Sequence, residues 1–143
     1  MHVRRATPQD AVSIGELIDR FVPNGTLLPR TEEFIASRAH EYIVAESDGE
    51  VVGCVHLDEY SPSLGELRSL AVAPGWQGKG VGRALVDACE RFARRRRYLT
   101  LFAVSNDDVF FARHGFAPRH IPELDRERSE VSRFKGVYAK DLG

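Results

Sequence analysis

One stretch in the middle of the chain restricts the fold more than any other part of it. The apolar segment ELRSLAVAP (66–74) is predicted to form a strand that Pro74 ends. GWQGKGVGRALVDACERFARRRR (75–97) follows, with four glycines in its first eight residues. The helical pattern after them is predicted to bury Val81, Leu85, Ala88, Cys89 and Phe92. We therefore predict a strand–turn–helix unit with unusual backbone freedom directly before the helix.

The glycine-rich turn is suited to bind a phosphate group. A helix N-terminus leaves backbone N–H groups without partners and is electrostatically positive. Gly78, Gly80 and Gly82 lack the Cβ atoms that would hold an anion away from these amides, and Lys79 and Arg83 add charge. The Walker spacing and the dinucleotide fingerprint are both absent, so another diphosphate is expected. The alternative, a flexible surface loop, rarely joins an apolar strand to a strongly amphipathic helix.

The segments around this unit predict a sheet with helices packed on it. Helices are predicted after Thr7, after Thr31 and over NDDVFFARHGF (106–116), where Asn106 is the expected N-cap. Asp48-Gly49 predicts a type I′ hairpin turn. The predicted fold class is α+β, in α/β/α layers, with a mixed, mostly antiparallel sheet of six to seven strands, about four helices and one domain over residues 1–143. Strands are predicted at 2–6, 42–47, 50–58, 66–74, 98–104 and 135–142, and a loop at 59–65.

Composition excludes several classes of function. The formal net charge of −1 argues against general nucleic-acid binding, and no segment has the length and apolarity of a membrane span. MHVRRATPQD lacks the apolar core of a signal peptide, so a cytoplasmic protein is expected. Cys54 and Cys89 are predicted to be buried thiols, and no His or Cys spacing indicates a metal site. The oligomeric state stays open, with a homodimer among the alternatives.

The segment LAVAPGWQGKGVGRALV (70–86) resembles the acetyl-CoA-binding signature of the GNAT superfamily of N-acyltransferases. Gln77, Gly80 and Gly82 match its Gln/Arg-x-x-Gly-x-Gly/Ala pattern, and NDDVFFARHGF is similar to the second half of the signature. The resemblance covers nearly the whole chain and implies the GNAT fold, acetyl-CoA as co-substrate and no metal. The residues that it places along the pantetheine arm, pyrophosphate and adenine are Leu70, Ala71, Val72, Gln77, Gly78, Lys79, Gly80, Val81, Gly82, Arg83, Asn106, Phe110 and Arg113.

A narrower resemblance suggests the acceptor. GTLLPRTEEFI, ELRSLAV and FFARHGF are similar to the acetyltransferase domain of N-acetylglutamate synthases, in the short, stand-alone form. The resemblance implies acetylation of the α-amine of a small amino acid such as L-glutamate, as in arginine biosynthesis. It implies that Arg30 grips a carboxylate and that the Leu28 carbonyl meets the amine. The guanidinium fork suits a carboxylate, and Pro29 favours an extended Leu28. The alternative for Arg30 is a solvated surface charge.

The chain departs from the larger synthases in two respects. It is too short for their amino-acid-kinase-like domain, so no feedback by arginine is expected. The segment that would contact a side-chain carboxylate also differs, and the sequence leaves that contact open between Arg68, Arg119, Arg128 and Arg133.

The reaction needs a base, because an α-amine is mostly protonated near neutral pH. The resemblance assigns this role to Glu66, and strand alternation predicts Glu66, Arg68, Leu70 and Val72 on one face. A solvated Glu at a strand end is the alternative. Backbone N–H groups of the same strand are expected to stabilise the oxyanion.

The proton donor to the leaving thiolate is less certain from the sequence. The resemblance implies Ser105, which could equally be a strand-end hydroxyl that caps the next helix. The Tyr that many GNAT enzymes use is replaced by Phe110 and Phe111.

Two competing functions remain at this stage. The acceptor could be a polyamine, an aminoglycoside or a peptide N-terminus, although Arg30 and Arg68 favour an anionic acceptor. Alternatively, the chain could be an acyl-CoA-binding sensor without turnover, against which Glu66 and Ser105 speak.

Overall fold

The computed structural model describes residues 1–124 and 136–143, and Arg128 and Arg133 lie outside them. Seven strands of this part form one sheet in the order β1-β2-β3-β4-β5-β7-β6, antiparallel except between β4 and β5. The predicted mixed, mostly antiparallel sheet is thereby confirmed. The strands are β1 (His2–Arg5), β2 (Tyr42–Ser47), β3 (Glu50–Ser61), β4 (Leu64–Val72), β5 (Thr100–Ser105), β6 (Ala117–Pro118) and β7 (Gly136–Asp141).

Helices cover both faces of this sheet. One face carries a core in which Leu85, Cys89 and Phe111 pack with strand residues such as Val55. The other carries Ile14, which packs with neighbours that include Tyr42 and Val44. The α/β/α layering therefore follows from the apolar stripes read in the sequence. The helices are α1 (Ala11–Asp19), α2 (Glu32–Ser37), α3 (Val81–Arg95) and α4 (Asp108–Arg113), with single 3-10 turns at Pro8–Asp10, Ala39–Glu41, Pro74–Trp76 and Pro122–Leu124.

One local prediction is wrong, and one short strand was not predicted. The segment 59–65 is a tight hairpin rather than a loop, because β3 continues to Ser61 and β4 begins at Leu64. The apolar contacts of these residues hold the hairpin: the Tyr60 ring meets Phe102 edge-on at 5.6 Å, and Leu64 is buried in the same cluster. The two-residue strand β6 has no signal in the sequence and is formed by pairing with β7.

The hairpin between β2 and β3 confirms its predicted turn. Asp48 and Gly49 both have positive φ, 50° and 80°, as a type I′ turn requires. None of the helices in the described residues combines the length and the apolar character that a membrane crossing requires.

Candidate active site

The neighbouring strands β4 and β5 separate in the middle of the sheet, and the site lies in the gap between them. Their parallel pairing joins residues 64–66 only to residues 100–102. Beyond it, residues 66–72 and 103–105 line opposite sides of a cavity of about 950 Å³. The size is that of a pocket for a large cofactor or for two small molecules together.

A β-bulge in β4 accompanies this separation. Val55 of β3 faces two residues of β4, Ser69 and Leu70, because the register shifts between Cys54 and His56. Ser69 has a φ of 52°, a left-handed backbone conformation that is uncommon for a residue other than glycine.

The bulge corrects one prediction from the sequence. Strand alternation placed Glu66, Arg68, Leu70 and Val72 on one face, but the extra residue turns the strand over between Arg68 and Leu70. Leu70 and Val72 pack on the α3 side of the sheet. Arg68 instead lies opposite His56, whose ring contacts residues of the α2 side.

The glycine turn has the backbone geometry expected of an anion site. Gly78 and Gly80 have positive φ values, 76° and 85°, and Gly80 is the N-cap of α3. The Gln77 side-chain amide donates to the Val72 carbonyl at 3.1 Å and so fastens the turn to the end of β4. The first amides of α3 therefore face the cavity end without a side-chain cap.

Gly82 lies against the ring of Phe110. It stands in the first turn of α3, and a Cβ atom there would lie 3.4 Å from Cε1 of Phe110. The glycine thus lets the start of α3 approach α4 closely. Arg83 and Arg113 also line this end of the cavity, which gives it a positive character.

Two residues predicted to contact acetyl-CoA do not present side chains to the cavity. The side chain of Val81 is buried in the core, so only its backbone amide could serve a ligand. The Lys79 ammonium lies 5.4 Å from the centre of the Trp76 ring, beside the cavity rather than in its lining. The other eleven predicted residues of this group line it.

The opposite end of the cavity carries the predicted acceptor residues. Leu28 and Arg30 reach it from the segment between α1 and α2, and Glu66 and Arg68 reach it from β4. Arg30 Nη1 donates to the Pro29 carbonyl at 2.9 Å, while its buried Nε has no hydrogen-bond partner within the described part of the chain. Burial, and next the charge of Arg68, lower the pKa of Arg30. An anion bound there would relieve both effects.

Glu66 is not the solvated strand-end carboxylate of the alternative interpretation. Only 2% of it is exposed, and its Oε2 lies 3.8 Å from Nε of Arg68. Arg68 Nη1 in turn contacts Asp58 Oδ2 at 3.1 Å. A buried carboxylate beside a held guanidinium is a setting in which a pKa can be tuned.

Ser105 makes a local hydrogen bond at the end of β5 and also faces the cavity. Its Oγ accepts a hydrogen bond from the Asp107 N–H at 2.9 Å, and it also lines the cavity. The hydroxyl proton is not used by that bond and stays available to a ligand. The N-cap of α4 is Asp107 and not Asn106, because Asp107 Oδ1 accepts the Phe110 N–H at 3.0 Å.

Some residues of the site have no clear signal in the sequence. Phe21, Thr26, Ser69 and Val104 line the cavity, and Asp58 reaches it through Arg68. Arg119, a candidate for a substrate carboxylate, is paired with Asp141 at 2.8 Å and is not in the cavity lining.

Comparison with known proteins identifies the family. The model of the acetyltransferase (GNAT) family matches residues 12–116, about three quarters of the chain. The chain belongs to the GNAT acetyltransferase family. It is therefore an acyltransferase that uses acetyl-CoA, and the bare helix start, the parted strands and the long cavity fit that co-substrate.

Three relatives show where in the family its similarities lie. An amino-acid acetyltransferase of Mycobacterium tuberculosis is 37% identical over 117 residues, which cover 80% of this chain and 67% of the relative. A protein of the same organism, solved with CoA, superposes over 100% of both chains with a TM-score of 0.92 and 28% identity. N-acetylglutamate synthase of Neisseria gonorrhoeae, solved with CoA and N-acetyl-glutamate, superposes over 99% of this chain with a TM-score of 0.89 and 29% identity. The superposed part covers 35% of the synthase chain.

The acetyltransferase has no activated thiol in its described residues. Cys54 and Cys89 are fully buried, as predicted. Burial raises the pKa of Cys54 to about 12, and it raises the pKa of Cys89 in the same direction. Neither side chain lines the cavity, so neither thiol is placed to form a covalent acyl-enzyme there.

Proposed function

We propose that the acetyltransferase transfers the acetyl group of acetyl-CoA to the α-amine of a small amino acid, with L-glutamate as the first candidate. The observation that carries the proposal is the single cavity that runs from the glycine turn to Arg30 and Glu66. The names of the relatives support it, since one is an amino-acid acetyltransferase and another is an N-acetylglutamate synthase.

Arg30 is the proposed contact for the α-carboxylate or side-chain carboxylate of the acceptor. Its guanidinium is partly buried, its Nε lacks a partner among the described residues, and its fork can make two charge-assisted hydrogen bonds. The neighbouring Leu28 lines the cavity, and its carbonyl is the proposed acceptor for the amine N–H groups.

Glu66 is the proposed general base. Acetyl-CoA supplies an activated acyl group and a thiolate that leaves readily. Glu66 takes a proton from the ammonium group of the acceptor, and the freed lone pair attacks the acyl carbon while the backbone N–H groups of β4 stabilise the negative charge that develops on the acyl oxygen. When this tetrahedral intermediate collapses, the C–S bond breaks and the nitrogen loses its second proton to solvent. Ser105 Oγ donates a proton to the departing sulfur and is re-protonated from solvent.

Thiol release with a panel of acceptors tests this proposal. We expect the protein to release CoA thiol with L-glutamate or another amino acid, and not with spermidine or an aminoglycoside. Mass spectrometry of the product should show one added acetyl group on the amine. Tight binding of CoA without turnover on any acceptor would contradict the proposal and favour a sensor.

A further inference from the structure

Four ionisable side chains form a compact patch on one face of β3 and β4. In the register of the two strands, His56 lies directly opposite Arg68, and Asp58 lies directly opposite Glu66. Directly opposed side chains of an antiparallel pair point to the same face, with Cβ atoms about 5 Å apart. Two carboxylates and one guanidinium are therefore held together beside the acceptor end of the cavity.

Arg68 is held between the two carboxylates of this patch. Its Nη1 is 3.1 Å from Asp58 Oδ2, and its Nε is 3.8 Å from Glu66 Oε2. Only about a fifth of the side chain is exposed. A guanidinium in this position compensates two opposed negative charges, so a carboxylate of the acceptor would have to compete with Asp58 for it.

A second layer of buried side chains lies beside Asp58 and Arg68. The fully buried ring of His56 stacks on Tyr42 at 4.3 Å, and its Nε2 lies 2.7 Å from Glu41 Oε1. Burial lowers the pKa of His56, so it is a neutral neighbour and does not replace Arg68 as the cation. Among the described residues, the charged and titratable groups near Glu66 include Asp58, Arg68, His56 with Glu41 and Tyr42 behind it, and Arg30 from the segment before α2.

We propose that Asp58 is a positioning residue for Glu66, acting through Arg68, and that Arg68 serves this pair instead of binding a carboxylate of the acceptor. The proposal rests on the proposed function of Glu66 as general base. Asp58 fixes the place of the guanidinium, and the guanidinium keeps the Glu66 carboxylate ionised and aimed at the cavity.

Asp58 and Arg68 form one ion pair, but they act in opposite directions on the pKa of Glu66. Asp58→Asn removes a like charge next to Glu66 and releases Arg68 toward it, which lowers the pKa of Glu66. Arg68→Gln removes the favourable charge and leaves Asp58 opposite Glu66, which raises the pKa of Glu66. A role of Arg68 in acceptor binding predicts, in addition to these shifts, an acceptor KM that rises in Arg68→Gln at pH values where Glu66 is ionised in both proteins.

The experiment compares the pH dependence of kcat/KM in these two variants and the wild type. We expect the acid limb of the kcat/KM profile to move to lower pH in Asp58→Asn and to higher pH in Arg68→Gln, each by about 1 pH unit. Arg68→Lys, which keeps a cation, should restore most of the wild-type limb. The matched control is Asp10→Asn, because Asp10 and Glu46 hold Arg4 between them at 2.8 Å and 3.2 Å, outside the cavity.

Carbon-13 NMR titration of the Glu66 carboxyl group, without substrates, gives a second readout that needs no turnover. Opposed shifts there support the proposal even if the chosen acceptors are not acetylated, and the failure of the proposed function is thereby separated from the failure of this inference. Unshifted titrations, shifts of the same sign in both variants, or an acceptor KM that rises tenfold or more in Arg68→Gln at a pH where Glu66 is ionised in both proteins would overturn it.

Discussion

The two ends of the cavity are built on different physical principles. At the glycine turn the protein presents backbone: Gly78 and Gly80 have left-handed backbones, and α3 begins without a side-chain cap. At the acceptor end it presents buried side chains, among them Glu66 and Arg68, which are fixed by ion pairs. A backbone site depends on conformation, whereas a side-chain site depends on chemical identity.

This difference predicts which substitutions separate the two substrates. Changes of functional group at the acceptor end should alter turnover or acceptor KM and leave acetyl-CoA binding intact. Changes of backbone freedom at the glycine turn should do the reverse. The predictions below test this separation, from the largest expected effect to the smallest.

Glu66→Gln is expected to have the largest effect. It removes the proposed base while it keeps the size of the side chain, so kcat should fall about 10²- to 10⁴-fold. The dissociation constant of acetyl-CoA, measured by titration calorimetry, should stay within about twofold of the wild type. A kcat close to the wild-type value would remove Glu66 as the base, and a parallel loss of acetyl-CoA affinity would break the separation of the two ends.

Arg30→Ala is expected to raise the KM of the acceptor by about 10- to 100-fold, as for the loss of a charge-assisted contact of about 1.5–3 kcal/mol. Arg30→Lys is the matched variant, because it keeps the charge and loses the fork, and it should recover only part of the affinity. Initial rates at saturating acetyl-CoA measure both. An unchanged KM in Arg30→Ala would show that Arg30 does not bind the acceptor.

Gly80→Val should weaken acetyl-CoA binding by about tenfold, since a left-handed backbone costs a residue with a Cβ atom about 1–2 kcal/mol. The φ of Gly80 is 85°. Gly75→Ala is the control, because Gly75 has no positive φ and open space around the position of a Cβ atom. Fluorescence of Trp76, the single tryptophan, offers a local measurement. Equal losses in the two variants would contradict a requirement specific to Gly80.

Ser105→Ala should have the smallest effect, a decrease of kcat of about tenfold or less, because a thiolate leaves readily without an acid. Loss of its hydrogen bond to the Asp107 N–H should lower the unfolding free energy by about 1 kcal/mol. Chemical denaturation and steady-state rates separate the two consequences. A decrease of a hundredfold or more would make proton donation by Ser105 more important than proposed.

The sequence predicted the glycine-turn end of the site better than the acceptor end. The turn, its flanking strand and its helix are contiguous, so local rules of conformation apply to them directly. The neighbours of Glu66 come from β3 and from the segment before α2, and only the register of the sheet brings them together. Asp58 therefore had no signal as part of the site.

The errors have the same origin. Alternation failed in β4 because Ser69 adopts a left-handed backbone, for which a serine gives no warning in the sequence. The N-cap of α4 was wrong by one residue, since Asn106 and Asp107 are both good capping residues and only the backbone geometry selects between them. The prediction of a loop at 59–65 fails because the apolar partners of this segment lie on a strand that is distant in the sequence.

The bulge at Ser69 divides a single strand into two working halves. Before it, Glu66 and Arg68 of β4 face the proposed acceptor end of the cavity; after it, Leu70 and Val72 pack in the opposite layer, and the strand ends beside the glycine turn. Substitutions before Ser69 can therefore change the acceptor, while the residues after it keep the binding site for the acyl donor unaltered.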